Sequence, residues 1–375
     1  MNRFFPEIKK NFGFGLMRLP MCGEDVDIQQ TKDMVDAFLQ AGFNYFDTAH
    51  PYIQGKSELA VKECLSSRYP RESYILTNKL SGFCFEKEEE IRPLFESQLE
   101  ACGVEYFDFY LHHAMSAKRH ATFTETRAYE IVKELKAEGK IRHIGLSFHD
   151  SAAVLDQILT DRPEIEVVQL QINYVDWEDP NVQAHACYDV CVKHGKPVIV
   201  MEPVKGGHLA TLPEGGAELL ACFGNGSPAS YAIRFAASFE GVMMVLSGMS
   251  DMEQVYENTR FMDDFKPLSD AEFAAIGKVC GLIRAQDLIP CTACRYCTDG
   301  CPKQIPIPDL FACMNAKKRY GDWNSEFYYS DVHTFASGRA SDCVGCGKCE
   351  KVCPQRLEIR ELLKQVAAEF EKNEA

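Results

Sequence analysis

The sequence predicts an α/β chain in which eight parallel strands, separated by helices, close into a TIM-type barrel that is followed by a small cysteine-rich domain. Three observations carry this reading. Apolar runs of strand length alternate with amphipathic helical stretches eight times over roughly 270 residues, a repeat that closes a parallel sheet on itself. No Gly-x-Gly-x-x-Gly turn follows the first strand, so an open doubly wound sheet is the poorer fit. Beyond residue 286 the composition changes abruptly, and eight of the chain's 17 cysteines fall there in two tight runs. The expected domains are therefore 1–286 and 287–375.

Phe12 to Met17 reads as the first strand, its glycines suited to close packing near a barrel mouth. A helix from about Ile28 to Ala41 places Thr31, Met34, Val35, Phe38 and Leu39 on one stripe and stops at Gly42. Phe43 to Phe46, bounded by Gly42 and Pro51, is a buried strand running into a loop. Helices at 57–67, 86–102 and around Ile131–Leu135 then alternate with strands at 73–79, 106–111 and 141–147. The pattern continues with a helix at 151–160, a strand at 165–170, a helix at 182–194 and a strand at 197–201. One long helical stretch over 216–239, a strand at 242–247 and helices at 251–261 and 270–285 complete it. The chain ends in an amphipathic helix with Ile359, Leu362, Leu363, Val366 and Phe370 on one face.

A net charge of −15 over 375 residues argues against nucleic acid and anionic membranes as partners, since both need a basic face. The longest apolar runs, such as Val242 to Leu246, fall far short of the ~20 residues that span a bilayer. The opening Met1-Asn-Arg-Phe-Phe-Pro has no apolar core of signal-peptide length, so cytoplasm is the expected location. Nine cysteines lie outside the two runs, and scattered cysteines in such a chain are expected to be small buried hydrophobes.

Chemistry concentrates at strand ends. Asp47 follows the Phe43–Phe46 run, and Tyr52 comes five residues later. A phenol, with an ordinary pKa of about 10, donates a proton at neutral pH only where its anion is stabilised. A nearby ammonium does that, and a carboxylate holds the ammonium in place. Lys79 ends the run Tyr74-Ile-Leu-Thr-Asn-Lys79, and Phe107-Asp-Phe-Tyr-Leu111 runs into His112-His113. These motifs, Phe46-Asp-Thr-Ala-x-x-Tyr52, Thr77-Asn-Lys79 and Asp108-Phe-Tyr-Leu-His-His113, resemble the aldo-keto reductases over roughly residues 10–265. The resemblance implies a catalytic set of Asp47, Tyr52, Lys79 and His113, with His112 standing where an apolar residue is usual.

It also implies a nicotinamide cofactor, NADPH or NADH, across the strand ends and a small-molecule carbonyl substrate. By the family pattern Ser147 and Gln171 contact the carboxamide. Met201 stands where an aromatic residue usually stacks on the nicotinamide. The loop Pro203-Val-Lys205-Gly206-Gly207 reads as an anion cradle of backbone N–H groups and one ammonium. Gly248, Gln254 and Asn258 fall where the family grips the adenosine. NADPH-selective members carry a Lys and an Arg at the places of Gly248 and Gln254, so strict NADPH selectivity is not expected.

Cys291-x2-Cys294-x2-Cys297-x3-Cys301-Pro302 is followed, after 41 residues, by Cys343-x2-Cys346-x2-Cys349-x3-Cys353-Pro354. One Cys-x2-Cys could hold zinc; the doubled run ending in Cys-Pro is the spacing of bacterial two-cluster ferredoxins. That resemblance implies two [4Fe–4S] clusters with crossed ligation. One takes Cys291, Cys294, Cys297 and Cys353, the other Cys343, Cys346, Cys349 and Cys301. An external redox protein is the partner such clusters imply. The alternative reading is an electron-transfer protein whose barrel binds a flavin or an altered nicotinamide and passes single electrons to the clusters.

Overall fold

The computed structural model describes residues 4–372 apart from 181, 225, 285–287, 290, 292, 322 and 354. The expected domain boundary at 286/287, and Pro354, lie outside the described residues. The chain divides into two compact units, Met1–Met115 with Arg119–Ile283, and Ser116–Lys118 with Arg284–Ala375.

In the first unit eight strands close into a parallel barrel in sequence order. They are β1 (Phe12–Gly15), β2 (Tyr45–Asp47), β3 (Ile75–Ser81), β4 (Phe107–Met115), β5 (Ile141–Phe148), β6 (Val167–Gln171), β7 (Val198–Met201) and β8 (Val242–Gly248). Parallel register sets Gly15 opposite both Asp47 and Gly248, which places three strand ends at one level. Toward the amino ends the interior is filled by Tyr45, Ile75, Phe109, Leu111, Val167 and Ile199, against which Phe5 and Ile8 pack. Burial of such side chains contributes roughly 1.5–3 kcal/mol each. This packed floor leaves the carboxyl ends as the open mouth.

Three expectations change. The stretch 216–239 is two helices, Gly216–Ala221 and Pro228–Ala237. Ser227 accepts the Ser230 N–H as an N-cap and Pro228 occupies the first turn, so the second helix starts afresh. A further helix, Ala117–Glu125, buries Phe123 alone, too little apolar periodicity to be seen in the sequence. Cys22 and Cys222 are exposed rather than buried.

In the second unit Ile307–Tyr320 and the terminal helix Ile359–Phe370 pack together. Ile359, Leu363 and Val366 are buried, and Phe370 stacks on Tyr329 at 4.7 Å. Within the segment between the cysteine runs, Phe327 meets Trp323 at 5.9 Å and Tyr328 at 6.1 Å, so its aromatics pack on one another as well as on the terminal helix. Among the described residues no helix is long and apolar enough to cross a membrane.

Candidate functional site

Asp47 is the last residue of β2, and Lys79 lies within β3, whose backbone runs on to Ser81. Lys79 is fully buried, and its Nζ donates to Asp47 Oδ1 at 2.6 Å, to the Thr48 carbonyl at 2.8 Å and to Tyr52 Oη at 3.2 Å. Tyr52 opens a tight turn in which Ile53 (φ 51°) and Gln54 (φ 56°) are left-handed. Such a conformation is costly for a β-branched residue. The turn carries the phenol back over the lysine.

Burial pulls the Lys79 ammonium down, but the Asp47 carboxylate and Tyr52 oxygen outweigh it, and its pKa lies above the ordinary value. Burial raises the Tyr52 phenol, and Lys79 draws it back without cancelling the rise. The net lowering expected of the phenol is thus not found. Tyr52 holds its proton, with an ammonium waiting beside the oxygen. His113 is pushed well below the ordinary imidazole range by burial and by Lys79, so its ring is neutral. Its Nδ1 is 2.6 Å from Ser81 Oγ, and the ring centroid lies 6.0 Å from that of Tyr52. The four expected residues are therefore neighbours.

Behind them runs a buried polar relay. Glu58, only 1% exposed, accepts from Asn78 at 2.8 Å and from Gln98 at 3.1 Å. Gln98 also donates to the Lys79 carbonyl at 3.1 Å, and Tyr110 donates to Gln98 at 2.6 Å. A fully satisfied network of this kind fixes the backbone that carries the lysine.

Asp47 and Tyr52 border a cavity of about 490 Å³ that extends past Met201, Pro203, Gly206 and Gly207 to Gly248, Gln254 and Asn258. That volume lies in the ordinary range of ligand sites, roughly 300–1,000 Å³. Gly206 (φ 64°) and Gly207 (φ 98°) adopt the left-handed backbone that suits an anion-binding concavity. The residues present therefore fit a phosphate-bearing dinucleotide.

In the second unit two small cavities are each lined by four cysteines. Cys291, Cys294, Cys297 and Cys353 surround one; Cys301, Cys343, Cys346 and Cys349 surround the other; Ile307 lines both. Among the described residues no three His, Cys, Asp or Glu side chains close on a single-ion site. The thiols surround a gap instead, which is what a polynuclear cluster requires.

A model of the aldo/keto reductase family matches residues 11–280, well over half of the chain. The chain belongs to the aldo/keto reductase family. Residues 290–358 match the model of a 4Fe-4S dicluster domain. Among curated relatives, the NADH-specific methylglyoxal reductase of Escherichia coli is 29% identical over 208 residues, 51% of this chain and 61% of that protein. The 9,11-endoperoxide prostaglandin H2 reductase of Trypanosoma cruzi is 26% identical over 203 residues, 52% of this chain and 65% of that protein. The chain thus spans just under two thirds of the length of these relatives. Among solved structures, the holo form of an aldo-keto reductase from Bacillus halodurans aligns with a TM-score of 0.59 at 25% identity, over 72% of this chain and 92% of that one. One from Klebsiella pneumoniae in complex with NADPH gives 0.59 at 19% identity, over 72% and 95%, a likeness of fold.

Three of the expected cofactor contacts of this aldo/keto reductase barrel lie elsewhere. Gln171 is not among the cavity-lining residues; Asp176 Oδ2 captures its Nε2 at 2.7 Å. The lining glutamine is Gln169, two residues earlier on the same face of β6, and it donates to Asp47 Oδ2 at 3.3 Å. Lys205 is also drawn inside by Asp176, at 2.8 and 2.9 Å, and is 4% exposed. Its ammonium is therefore spent on the fold rather than offered to the cavity. Ser147 Oγ accepts the Ala114 N–H at 2.7 Å and does not line the cavity. The sequence reading missed Arg18, Glu202 and Gln169. For Gln169 the signal was present, since period-two alternation puts 169 and 171 on one face and does not choose between them.

Proposed function

We propose that this chain reduces a small carbonyl compound to an alcohol with NADH or NADPH in the cavity at the carboxyl ends of the barrel strands. The observation that carries this is the triangle of Asp47, Lys79 and Tyr52, with the lysine 2.6 Å from the carboxylate and 3.2 Å from the phenol. The nicotinamide, when bound, supplies the hydride to the carbonyl carbon. Tyr52, protonated across the neutral range, gives its proton to the carbonyl oxygen, and Lys79 stabilises the phenolate left behind. Asp47 keeps that ammonium charged and aimed. Neutral His113 orients the carbonyl. When Ser81 donates to Nδ1, the N–H at Nε2 is left to do so. Gln169, which lines the cavity and donates to Asp47, would be a glutamine available to the carboxamide.

The Escherichia coli relative's name supports a small dicarbonyl as the substrate to try first and NADH as an adequate donor. Gly248 and Gln254 support the same choice, because neither offers a cation to a 2′-phosphate. In the second unit each four-cysteine cavity would hold one [4Fe–4S] cluster, the fourth cysteine of each run crossing to the other. Such clusters carry single electrons, and their partner would be an external redox protein. The test is anaerobically purified protein supplied with methylglyoxal and NADH or NADPH. Carbonyl-dependent oxidation of either nucleotide is expected. Release of a stoichiometric flavin, with no binding of either nucleotide, would favour the electron-transfer reading.

A further inference from the structure

The anion cradle has lost the ammonium expected of it, because Lys205 is bound to Asp176. Among the described residues that line the cavity, Arg18 is the one guanidinium or ammonium. Arg18 follows β1 at the end of the short helical turn Leu16–Arg18, far in sequence from every loop it meets. Its stem runs past Gly248. A Cβ built there would stand 3.1 Å from Arg18 Cβ and 3.2 Å from Cγ and Cδ. Its guanidinium ends at the cradle, 3.1 Å from where a Cβ of Gly206 would be. Both glycines therefore leave the room that this side chain takes up. Among the described residues no carboxylate lies within ion-pair distance of the Arg18 side chain, although Glu202 Oε2 is 3.9 Å from the same Gly206 point.

We propose that Arg18 is the anion-binding cation of this site and pairs with the pyrophosphate of the dinucleotide, bridging the ends of β1, β7 and β8. The inference rests on the nicotinamide reading above and adds the residue that replaces Lys205. A guanidinium meets phosphate oxygens through two parallel N–H groups, a stronger contact than backbone amides alone provide. Its position at Gly206 fits a group common to NADH and NADPH. A guanidinium reaching outward over Gly248 and Gln254 would instead favour the 2′-phosphate. The absence of a side chain at Gly248 leaves the space through which the Arg18 stem reaches the cradle.

The test is the dissociation constant of NADH and of NADPH at fixed ionic strength, measured by quenching or calorimetry on the full chain with its clusters, for wild type, Arg18→Met and Arg18→Lys. Arg18→Met keeps the stem and removes the charge. It should weaken both nucleotides about tenfold or more, by factors that agree within about threefold, and flatten the salt dependence of binding. Arg18→Lys should recover part of the loss. Wild-type affinity in Arg18→Met, or a loss confined to NADPH, would overturn the assignment. Wild-type protein that binds neither nucleotide would instead remove the nicotinamide reading on which it rests. The side chain is exposed, so an unchanged melting temperature in Arg18→Met confirms that a change in binding is not a change in folding.

Discussion

The two ends of the barrel cavity are built differently. At the Tyr52 end, Asp47, Lys79 and His113 sit within paired strands, so register fixes the reach of each side chain. At the Gly206 end the walls are loops. Glu202, Lys205, Gly206 and Gly207 all have positive φ, and the buried Lys205–Asp176 pair ties the loops after β6 and β7 together. A strand end can offer chemistry only at alternate positions. A loop can exchange one charged residue for another from a distant segment, and here Lys205 is withdrawn while Arg18 lines the cavity. The first end should therefore answer mutation in rate, the second in stability and affinity.

The largest effect expected is on rate. Tyr52→Phe keeps the ring and loses the proton, and should lower kcat for carbonyl reduction by the ~10²–10⁴-fold typical of a missing general acid. Stopped-flow or steady-state turnover checks this, with nucleotide affinity as the control. Turnover near that of wild type would mean that the proton comes from elsewhere. At the other end, Asp176→Asn takes the carboxylate away from the buried Lys205 ammonium, and breaking a buried pair in this way typically costs about 3–5 kcal/mol. A urea titration should show that loss, while the rate at saturation falls far less than in Tyr52→Phe. Equal stability of variant and wild type would show that the pair does not hold the loops.

What was legible in the sequence follows the same division. Asp47, Lys79 and His113 could be singled out because each closes or follows an apolar run, and they and Tyr52 stand in motifs that resemble those of the aldo-keto reductases. The pairing of Lys205 could not be read because its partner lies 29 residues earlier and nothing local marks the ammonium as buried. Gln171 is turned from the cavity for a different reason. It shares a face with Gln169, and only the fold shows that Asp176 reaches the later residue. Arg18 carried no local signal at all, since its neighbours Gly206 and Gly248 become neighbours only when the barrel closes. The break in the 216–239 stretch was visible in Ser227-Pro228, a start signal that the apolar stripe obscured.

Behind the Tyr52 end, His112 points away from the site into Phe123 and Tyr129, with ring centroids at 5.5 and 4.6 Å. Burial, helped by the Arg162 and His120 charges, pushes its pKa down to about 3 from 6.5, and its Nδ1 has no hydrogen-bond partner. Between those pH values the unfolded chain takes up a proton that the folded chain refuses. The fold therefore loses stability as pH falls from 6.5 toward 3, by an amount on the order of a few kcal/mol. His112→Leu should flatten that acid limb in chemical denaturation series and cost little at pH 7. An unchanged limb would place the acid sensitivity in other groups.

The smallest effect belongs to the second unit, where three cysteines of each cavity are local and the fourth comes from the other run. Cys353→Ser should alter the spectroscopic signature of the cluster held by Cys291, Cys294 and Cys297 and leave barrel turnover close to wild type. Loss of the Cys343, Cys346 and Cys349 cluster instead would show that each run keeps its own fourth ligand.

The central claim, that the barrel moves a hydride directly rather than feeding single electrons through a relay, is tested most directly by isotope. Nicotinamide deuterated at the transferring position is mixed with methylglyoxal and anaerobic protein, and the alcohol product is read by mass spectrometry. Direct transfer beside Tyr52 predicts one deuterium on the former carbonyl carbon in every product molecule. A product carrying solvent hydrogen at that carbon would contradict it, because reduction would then have passed through an exchangeable carrier.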